Sequence, residues 1–353
     1  MVNGADLTAS PGTAVQPRVS PAGPPRALGG MVPPASALPS VLPTERLGPT
    51  GRPLPPIRAE LRRIDDRRNG LTVAAALIQS LGVVVAACAL NRWWAYAAAF
   101  VLMARGFALL NILGHEAAHR LLFSGRRRND AIGKWLLAYP ALTPFDLYRR
   151  AHMAHHRDEL GPAEPDTGLY AGYPVAPASM ARKLTRDLVG VSGWKNLRPL
   201  LRGLARSEGR PIAVPIVAVQ LAVAAVLTVA GGLLSGAWWA YPVLWLGPWL
   251  TLWRVDNRLR SIAEHGGMAR SDDRRLTTHV VRQHLIARFW MVPYHTGWHL
   301  AHHVDPGVPW RNLPQLHREL VESGWVTDVL EYPSYTALWR ALVGGRRPAP
   351  MAA

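Results

Sequence analysis

Apolar runs long enough to cross a membrane are the main pattern along this chain. Residues 71–90 carry no charge and follow a basic stretch, and apolar sequence resumes over residues 94–113 after a short turn that contains two tryptophans. Two further apolar runs cover residues 211–231 and 237–253. A helix needs about 20 apolar residues to span a bilayer. The pattern therefore predicts an all-α, multi-pass membrane protein with four transmembrane helices.

Two further features of the apolar pattern predict structure: a short apolar stretch and a row of tryptophans in the fourth run. Residues 131–145 are too short to cross and contain Lys134 and two prolines, which favours a re-entrant or interfacial segment. Within the fourth run, Trp245, Trp249 and Trp253 recur every four residues and mark one helix face. We expect that face to serve packing or lipid contact rather than to line a substrate site.

The two ends of the chain lack such runs. Residues 1–58 are rich in proline and show no apolar periodicity, so we expect a disordered tail that cannot bury enough surface to offset its ordering entropy. A second short tail is expected over residues 341–353, which leaves residues 59–340 as the membrane domain. On this interpretation, deleting residues 1–55 leaves folding and activity largely intact.

The net charge is +17, from 40 Lys and Arg against 23 Asp and Glu. The positions of the basic residues indicate how the protein is oriented in the membrane. A nucleic-acid-binding protein can be this basic. Here, however, the basic residues flank the apolar runs, as expected for cytoplasmic loops of a membrane protein. We therefore expect an inner-membrane protein with both termini in the cytoplasm and no nucleic-acid partner. The single cysteine, Cys88, lies inside an apolar run, which excludes disulfides and thiolate metal sites.

Three histidine clusters carry the candidate chemistry. They are His115-Glu-Ala-Ala-His119, His152-Met-Ala-His155-His156 and His299-Leu-Ala-His302-His303. Neutral imidazole is the commonest protein metal ligand, and two histidines four apart share one helix face. An adjacent histidine pair points its rings about 100° apart and can serve two ions. With four spans all three clusters lie on the cytoplasmic side, so we expect a helical cap that holds an oxygen-activating di-iron site.

The first cluster also matches the H-E-x-x-H signature of zinc proteases, in which the glutamate activates water. In that interpretation Glu116 would be the general base. A catalytic zinc needs only three protein ligands, however, and the other clustered histidines would then be surplus. A membrane zinc metalloprotease is therefore the less favoured alternative, as is a non-catalytic haem or metal receptor.

The three clusters on a four-span scaffold resemble those of the membrane fatty acid desaturase and hydroxylase superfamily. The similarity extends over residues 71–320 and includes Ser261-Ile-Ala-Glu-His265 before the last cluster. The segment Asp305-Pro-Gly-Val-Pro-Trp310 after that cluster is similar to bacterial acyl desaturases. The resemblance implies two iron ions bound by the eight cluster histidines and His265, with no catalytic residue beyond these ligands. It also implies dioxygen as co-substrate, with electrons from NAD(P)H through a separate reductase and carrier protein.

Four further residues are candidates for orienting the ligand imidazoles: His295, Glu116, Asp166 and Asp305. For His295 the alternative is a role as a tenth ligand. The isolated His279, His284 and His317 are expected to be surface or core histidines.

The predicted activity is an oxidoreductase that introduces a double bond into the acyl chain of a membrane lipid or related substrate. A hydroxylase or ketolase of the same superfamily, acting on an alkane, a sphingolipid or a carotenoid, is the alternative. The histidine clusters do not separate the two, because abstraction of one hydrogen can lead to either product.

Overall fold

The structure is a computed structural model that describes residues 28–344, and it is predominantly helical. The helices in chain order are α1 Pro55–Leu61, α2 Asp66–Leu90, α3 Trp93–Ala118, α4 Arg126–Ile132, α5 Phe145–Arg157, α6 Thr167–Tyr170, α7 Pro177–Leu188, α8 Val191–Ala205, α9 Arg210–Ser235, α10 Gly247–Leu250, α11 Leu252–His265, α12 Leu285–Trp290, α13 His299–Val304, α14 Leu313–Glu322 and α15 Tyr335–Gly344. Short strands β1 Val280–Val281 and β2 Glu331–Tyr332 pair in parallel. There are also π-helical turns at Gly133–Ala138 and Tyr241–Leu246, and 3₁₀ turns at Ala35–Ala37 and Arg274–Leu276.

The described chain divides into two compact units. The first unit comprises Asp65–Arg150 and Lys183–Asn257. The second unit comprises residues 28–64, Ala151–Arg182 and residues 258–344.

The first unit is built on three helices, α2, α3 and α9, which are long and apolar enough to cross a membrane. Helix α2 begins at the cap residue Asp65, whose side chain accepts a hydrogen bond from the Arg68 N–H, and it ends at Asn91 in the left-handed conformation. Large apolar side chains such as Leu71 and Leu233 stay exposed on these helices. Three of the four predicted spans are thus present as long apolar helices.

The fourth predicted span is not one continuous helix. A π-helical turn over Tyr241–Leu246 leads into the short helix α10, and the backbone then breaks at Thr251 before α11 begins. Pro242 and Pro248 lack the N–H that a regular helical ladder requires, which explains the irregularity. The hydropathy pattern predicted the apolar segment but not the break in its helix.

The predicted re-entrant segment contains the last two residues of α4, a π-helical turn and an irregular loop over residues 139–144. Gln220 donates from Nε2 to the carbonyls of Tyr139 at 2.7 Å and Pro140 at 2.9 Å. The indole N–H of Trp249 donates to the carbonyl of Ala141 at 2.8 Å. Irregular backbone among apolar helices needs such internal partners, because no water is available there. The arrangement is what a re-entrant segment requires.

The predicted tryptophan face is a packing face. Trp245, Trp249 and Trp253 are 1%, 3% and 1% exposed, so all three lie inside the first unit. Trp245 packs edge-on against Phe107 of α3.

The core of the second unit joins the N-terminal segment to α13 and α14. Its buried apolar members are Leu47, Leu61, Val280, Leu300, Ala301, Val304, Val308, Trp310, Leu313, Leu316, Leu320, Trp325 and Val326. Helix α14 contributes the i, i+3, i+7 positions Leu313, Leu316 and Leu320, which define one face.

The prediction of a disordered tail over residues 1–58 is wrong for residues 28–58. Leu47 is 1% exposed within that core, and α1 begins at Pro55. Prolines lack a donor and pre-set their backbone angle, so a proline-rich segment loses little entropy and needs few partners when it docks. Residues 1–27 lie outside the described part of the chain.

The predicted C-terminal tail also begins later than expected. Residues 341–344 belong to α15, and Ala341 and Leu342 are buried. Residues 345–353 lie outside the described part.

Candidate metal centre

The first histidine cluster lies at the end of α3 in the first unit. The rings of His115 and His119, one helical turn apart, have centroids 4.7 Å from each other. Arg149 closes this helix end by donating to the carbonyls of Ala117 at 2.8 Å and Ala118 at 3.0 Å. Two ligands of suitable type are thus presented on one turn.

The second unit brings together seven of the nine predicted ligands. Helix α5 carries His152, His155 and His156, α11 ends at His265, and α13 carries His299, His302 and His303. The ligand nitrogens of His155, His265 and His303 lie within 4.8 Å of one another, and these three side chains are buried. The nitrogens of His152, His156 and His302 form a second group by the same distance.

Four pairs of Nε2 atoms lie unusually close. The pairs are His265–His299, His299–His303, His156–His302 and His152–His156, each at 3.0 Å. A metal–nitrogen distance of about 2.1 Å places two ligands at right angles about 3.0 Å apart. The spacing therefore matches histidines that share an ion.

The opposite ring nitrogens are held by acceptors. His265 Nδ1 donates to the carbonyl of Thr277 at 2.8 Å, and His303 Nδ1 donates to Glu159. A neutral imidazole that donates from Nδ1 has its lone pair on Nε2. Two such lone pairs directed at the same point repel unless a cation lies between them. The donor set therefore fits a metal ion.

The electrostatics of the group differ between its three buried imidazoles. Burial, together with the neighbouring histidines, lowers the pKa of His265 and His303 well below its ordinary value, so both rings are neutral. Burial acts to lower the pKa of His155 as well. There, however, the 2.6 Å hydrogen bond to Glu164 and the charge of Glu164 raise the pKa above its ordinary value.

Two buried glutamates that support these rings were not predicted. Glu159 accepts from His303 and also pairs with Arg274 at 3.0 Å and with the Thr277 hydroxyl at 2.5 Å. Glu164, which holds His155, is fixed by the backbone N–H of Asp166 at 3.0 Å. The signal in the sequence was a run of acids directly after the second cluster, within an otherwise basic region.

The four predicted orienting residues have the following surroundings. The backbone N–H of Asp166 donates to Glu164, and Glu116 Oε2 lies 4.0 Å from His115 Nδ1. Asp305 accepts hydrogen bonds from Arg62 and from the Gly307 N–H, so it holds the chain after α13 rather than an imidazole. His295 packs against Trp298 and Trp310 and belongs to none of the three groups of possible metal ligands among the described residues.

The three isolated histidines have other surroundings. Buried His279 donates from Nε2 to the carbonyl of Gly266 at 2.8 Å, and His284 donates to that of Pro333 at 2.7 Å. Burial lowers the pKa of His317 to about 4.

Long apolar helices together with clustered histidines able to hold metal define a class of integral membrane metalloprotein. The family model described as fatty acid desaturase matches residues 91–335. The chain is also 24% identical over 273 residues to dihydrorhizobitoxine desaturase of Bradyrhizobium elkanii, an alignment that covers 70% of this chain and 75% of that protein. The chain therefore belongs to the fatty acid desaturase family, and it is a membrane protein and an oxidoreductase. The resemblance expected from the sequence is confirmed.

Proposed function

We propose that this protein is a dioxygen-dependent desaturase that introduces a double bond into an acyl chain at a histidine-bound di-iron centre. The observation that carries the proposal is the convergence of Nε2 atoms at 3.0 Å in two groups, supported by the family membership. The name of the relative from Bradyrhizobium elkanii favours desaturation over hydroxylation.

The nine proposed ligands divide into two sets. One ion takes His155, His265, His299 and His303. The other takes His152, His156 and His302, and we propose that His115 and His119 complete it. Bound iron supplies the activation of dioxygen and the removal of hydrogen from two neighbouring carbons.

The chain itself controls the tautomers of the ligands. Glu159, Glu164 and the Thr277 carbonyl each retain a proton on an Nδ1 atom, which leaves the Nε2 lone pair for metal. Burial of His265 and His303 excludes water from the ligand nitrogens and disfavours their protonation. The remaining protons therefore stay at defined atoms while substrate and dioxygen react.

We further propose that the protein lies in the inner membrane with both termini and all histidine clusters on the cytoplasmic side. The divided segment 237–253 is the proposed fourth crossing, and its 17 residues reach about 25 Å at 1.5 Å per residue. Electrons arrive from NAD(P)H through a separate reductase and carrier. Reporter fusions at residues 92, 160, 235 and 340 test the topology, and a periplasmic signal at residue 160 or 340 would overturn it.

The activity is tested by expressing the chain in a desaturase-deficient host, analysing fatty acid methyl esters and measuring metal in the purified protein. We expect new unsaturated acyl chains and about two irons per chain, both lost in His303→Ala. Hydroxylated or keto products would instead assign the alternative reaction, hydroxylation or ketolation. Unchanged acyl chains alongside two bound irons would reject the acyl substrate, and one zinc with no iron would reject the di-iron centre.

A further inference from the structure

The N-terminal strap, defined as residues 28–64, contacts two parts of the second unit that carry proposed metal ligands. We propose that this strap is a positioning element of the metal centre, with Arg62 as its principal residue. The inference rests on the proposed metal-binding function. It assigns a role to a segment that precedes the part of the chain matched by the family model.

The first contact lies directly after the third histidine cluster. Arg62 donates from Nη2 and Nε to the two carboxylate oxygens of Asp305, at 2.5 and 3.2 Å. Asp305 is 2% exposed and lies two residues beyond His303. Arg52 donates from Nε to the carbonyl of Val304, the last residue of α13, at 3.2 Å.

The absence of a side chain at Gly307 provides the space that the Arg62 guanidinium occupies. A side chain at Gly307 would come within 2.7 Å of the guanidinium carbon of Arg62. The Gly307 N–H in turn donates to Asp305 at 3.1 Å. Glycine thus leaves room for the guanidinium beside the turn that follows α13.

The second contact lies directly after His265. The backbone N–H of Met31 donates to the carbonyl of Gly267 at 2.8 Å, and that of Gly29 donates to Met268 at 3.1 Å. Gly267 has φ of +71°, a conformation that glycine tolerates. The strap therefore fixes the turn that ends the helix bearing His265.

These contacts affect the ligands because α13 cannot hold its own position. A helix of six residues is far below the length at which helices are stable alone, so its partners determine where it lies. Without Arg62 a buried carboxylate loses its nearest charged partner, and without Arg52 a terminal carbonyl loses its donor. The end of α13 is then free to move, and His302 and His303 move with it.

The chain offers a matched control in the same strap. Arg46 donates from Nη2 to Glu319 at 2.6 Å, and its side chain is 49% exposed, close to the 45% of Arg62. This ion pair ends on α14, which carries no proposed ligand. The comparison of Arg62→Met with Arg46→Met therefore separates positioning of the metal from general attachment of the strap.

The experiment uses the full-length protein purified in detergent, stripped of metal and reloaded with Co²⁺, whose visible absorption bands report ligand geometry. We expect Arg62→Met to shift these bands and to lose metal to a chelator about 3–10-fold faster, less than the 10–100-fold typical of direct ligand partners. Arg62→Lys should recover part of the effect, since lysine keeps the charge but not the two-pronged geometry. Because Arg58 Nε lies 4.0 Å from Asp305, Arg58→Met/Arg62→Met should show the larger change.

Arg46→Met should match the unmodified protein in both measurements. Equal metal loss in Arg46→Met and Arg62→Met, or unchanged bands in Arg62→Met, would overturn the positioning role. Because Co²⁺ reports the site without turnover, a protein that binds Co²⁺ but desaturates nothing would refute the proposed activity and leave this test intact.

Discussion

Helix α9 of the first unit and helix α14 of the second unit place their leucines differently. In the first unit Leu221 and Leu233 of α9 are 66% and 77% exposed, whereas Gln220 between the helices is 6% exposed. In the second unit Leu316 and Leu320 of α14 are fully buried. Exposed leucine beside buried glutamine is stable where the surroundings are lipid, because only the buried amide then finds polar partners. From this difference we infer that the first unit folds in contact with lipid and the second in contact with water.

The second unit also buries charge beside its candidate metal ligands. Around the second unit's histidines, Glu159 and Glu164 are 2% and 6% exposed and each has several partners. A buried polar network of this kind is costly unless each member is satisfied. We infer that this cost is offset when metal binds.

The largest expected effect follows from removing a ligand. His265→Ala or His303→Ala should abolish activity and most bound metal, because each removes a buried imidazole from the same group. Metal content by mass spectrometry and acyl unsaturation are the measurements. The exposed His284→Ala serves as the control and should retain both, and normal iron in His265→Ala would remove it from the ligand set.

A matched pair of leucines tests the contrast between the two solvents. Leu316→Ala, in the core of the second unit, should lower the free energy of unfolding by about 2–5 kcal/mol. Leu233→Ala on the exposed face of α9 should change it by less than about 0.5 kcal/mol. Unfolding of each variant by SDS in detergent provides the comparison, and equal losses would mean that α9 packs against another protein surface.

An intermediate effect is expected from the glutamate that holds His303. Glu159→Gln keeps the shape but removes the charge that faces Arg274, so metal affinity should fall about 10–100-fold. Chelator competition measures this. Asp158→Asn is the neighbouring control, because Asp158 pairs with the exposed Arg270 and such pairs contribute little. Similar losses in both variants would assign the effect to net charge rather than to the hydrogen bond.

The smallest expected effect concerns the buried amide of the first unit. Gln220→Leu removes a donor to the Tyr139 and Pro140 carbonyls and an acceptor for the Tyr241 hydroxyl. Leaving such groups unpaired costs about 1–3 kcal/mol, in part recovered by the apolar side chain, so we expect about 1 kcal/mol. The neighbouring Leu221→Ala should be near neutral in the same SDS titration. A more stable Gln220→Leu protein would show that water reaches this loop.

The sequence alone was sufficient for features that depend on neighbouring residues. Three apolar runs predicted α2, α3 and α9, because the length of an uncharged run determines whether a helix can span a membrane. The histidine clusters predicted metal chemistry, because ligand type and a spacing of three or four residues are local properties.

Only the tertiary structure decided the features that join distant residues. Glu159 and His303 are 144 positions apart, and Arg62 and Asp305 are 243 apart, so no local pattern pairs them. The same holds for the strap, whose order comes from the surface against which it packs rather than from its own periodicity. Burial and hydrogen bonding are properties of the surroundings that the fold creates, and for this reason the histidine clusters were predictable while the residues that hold their rings were not.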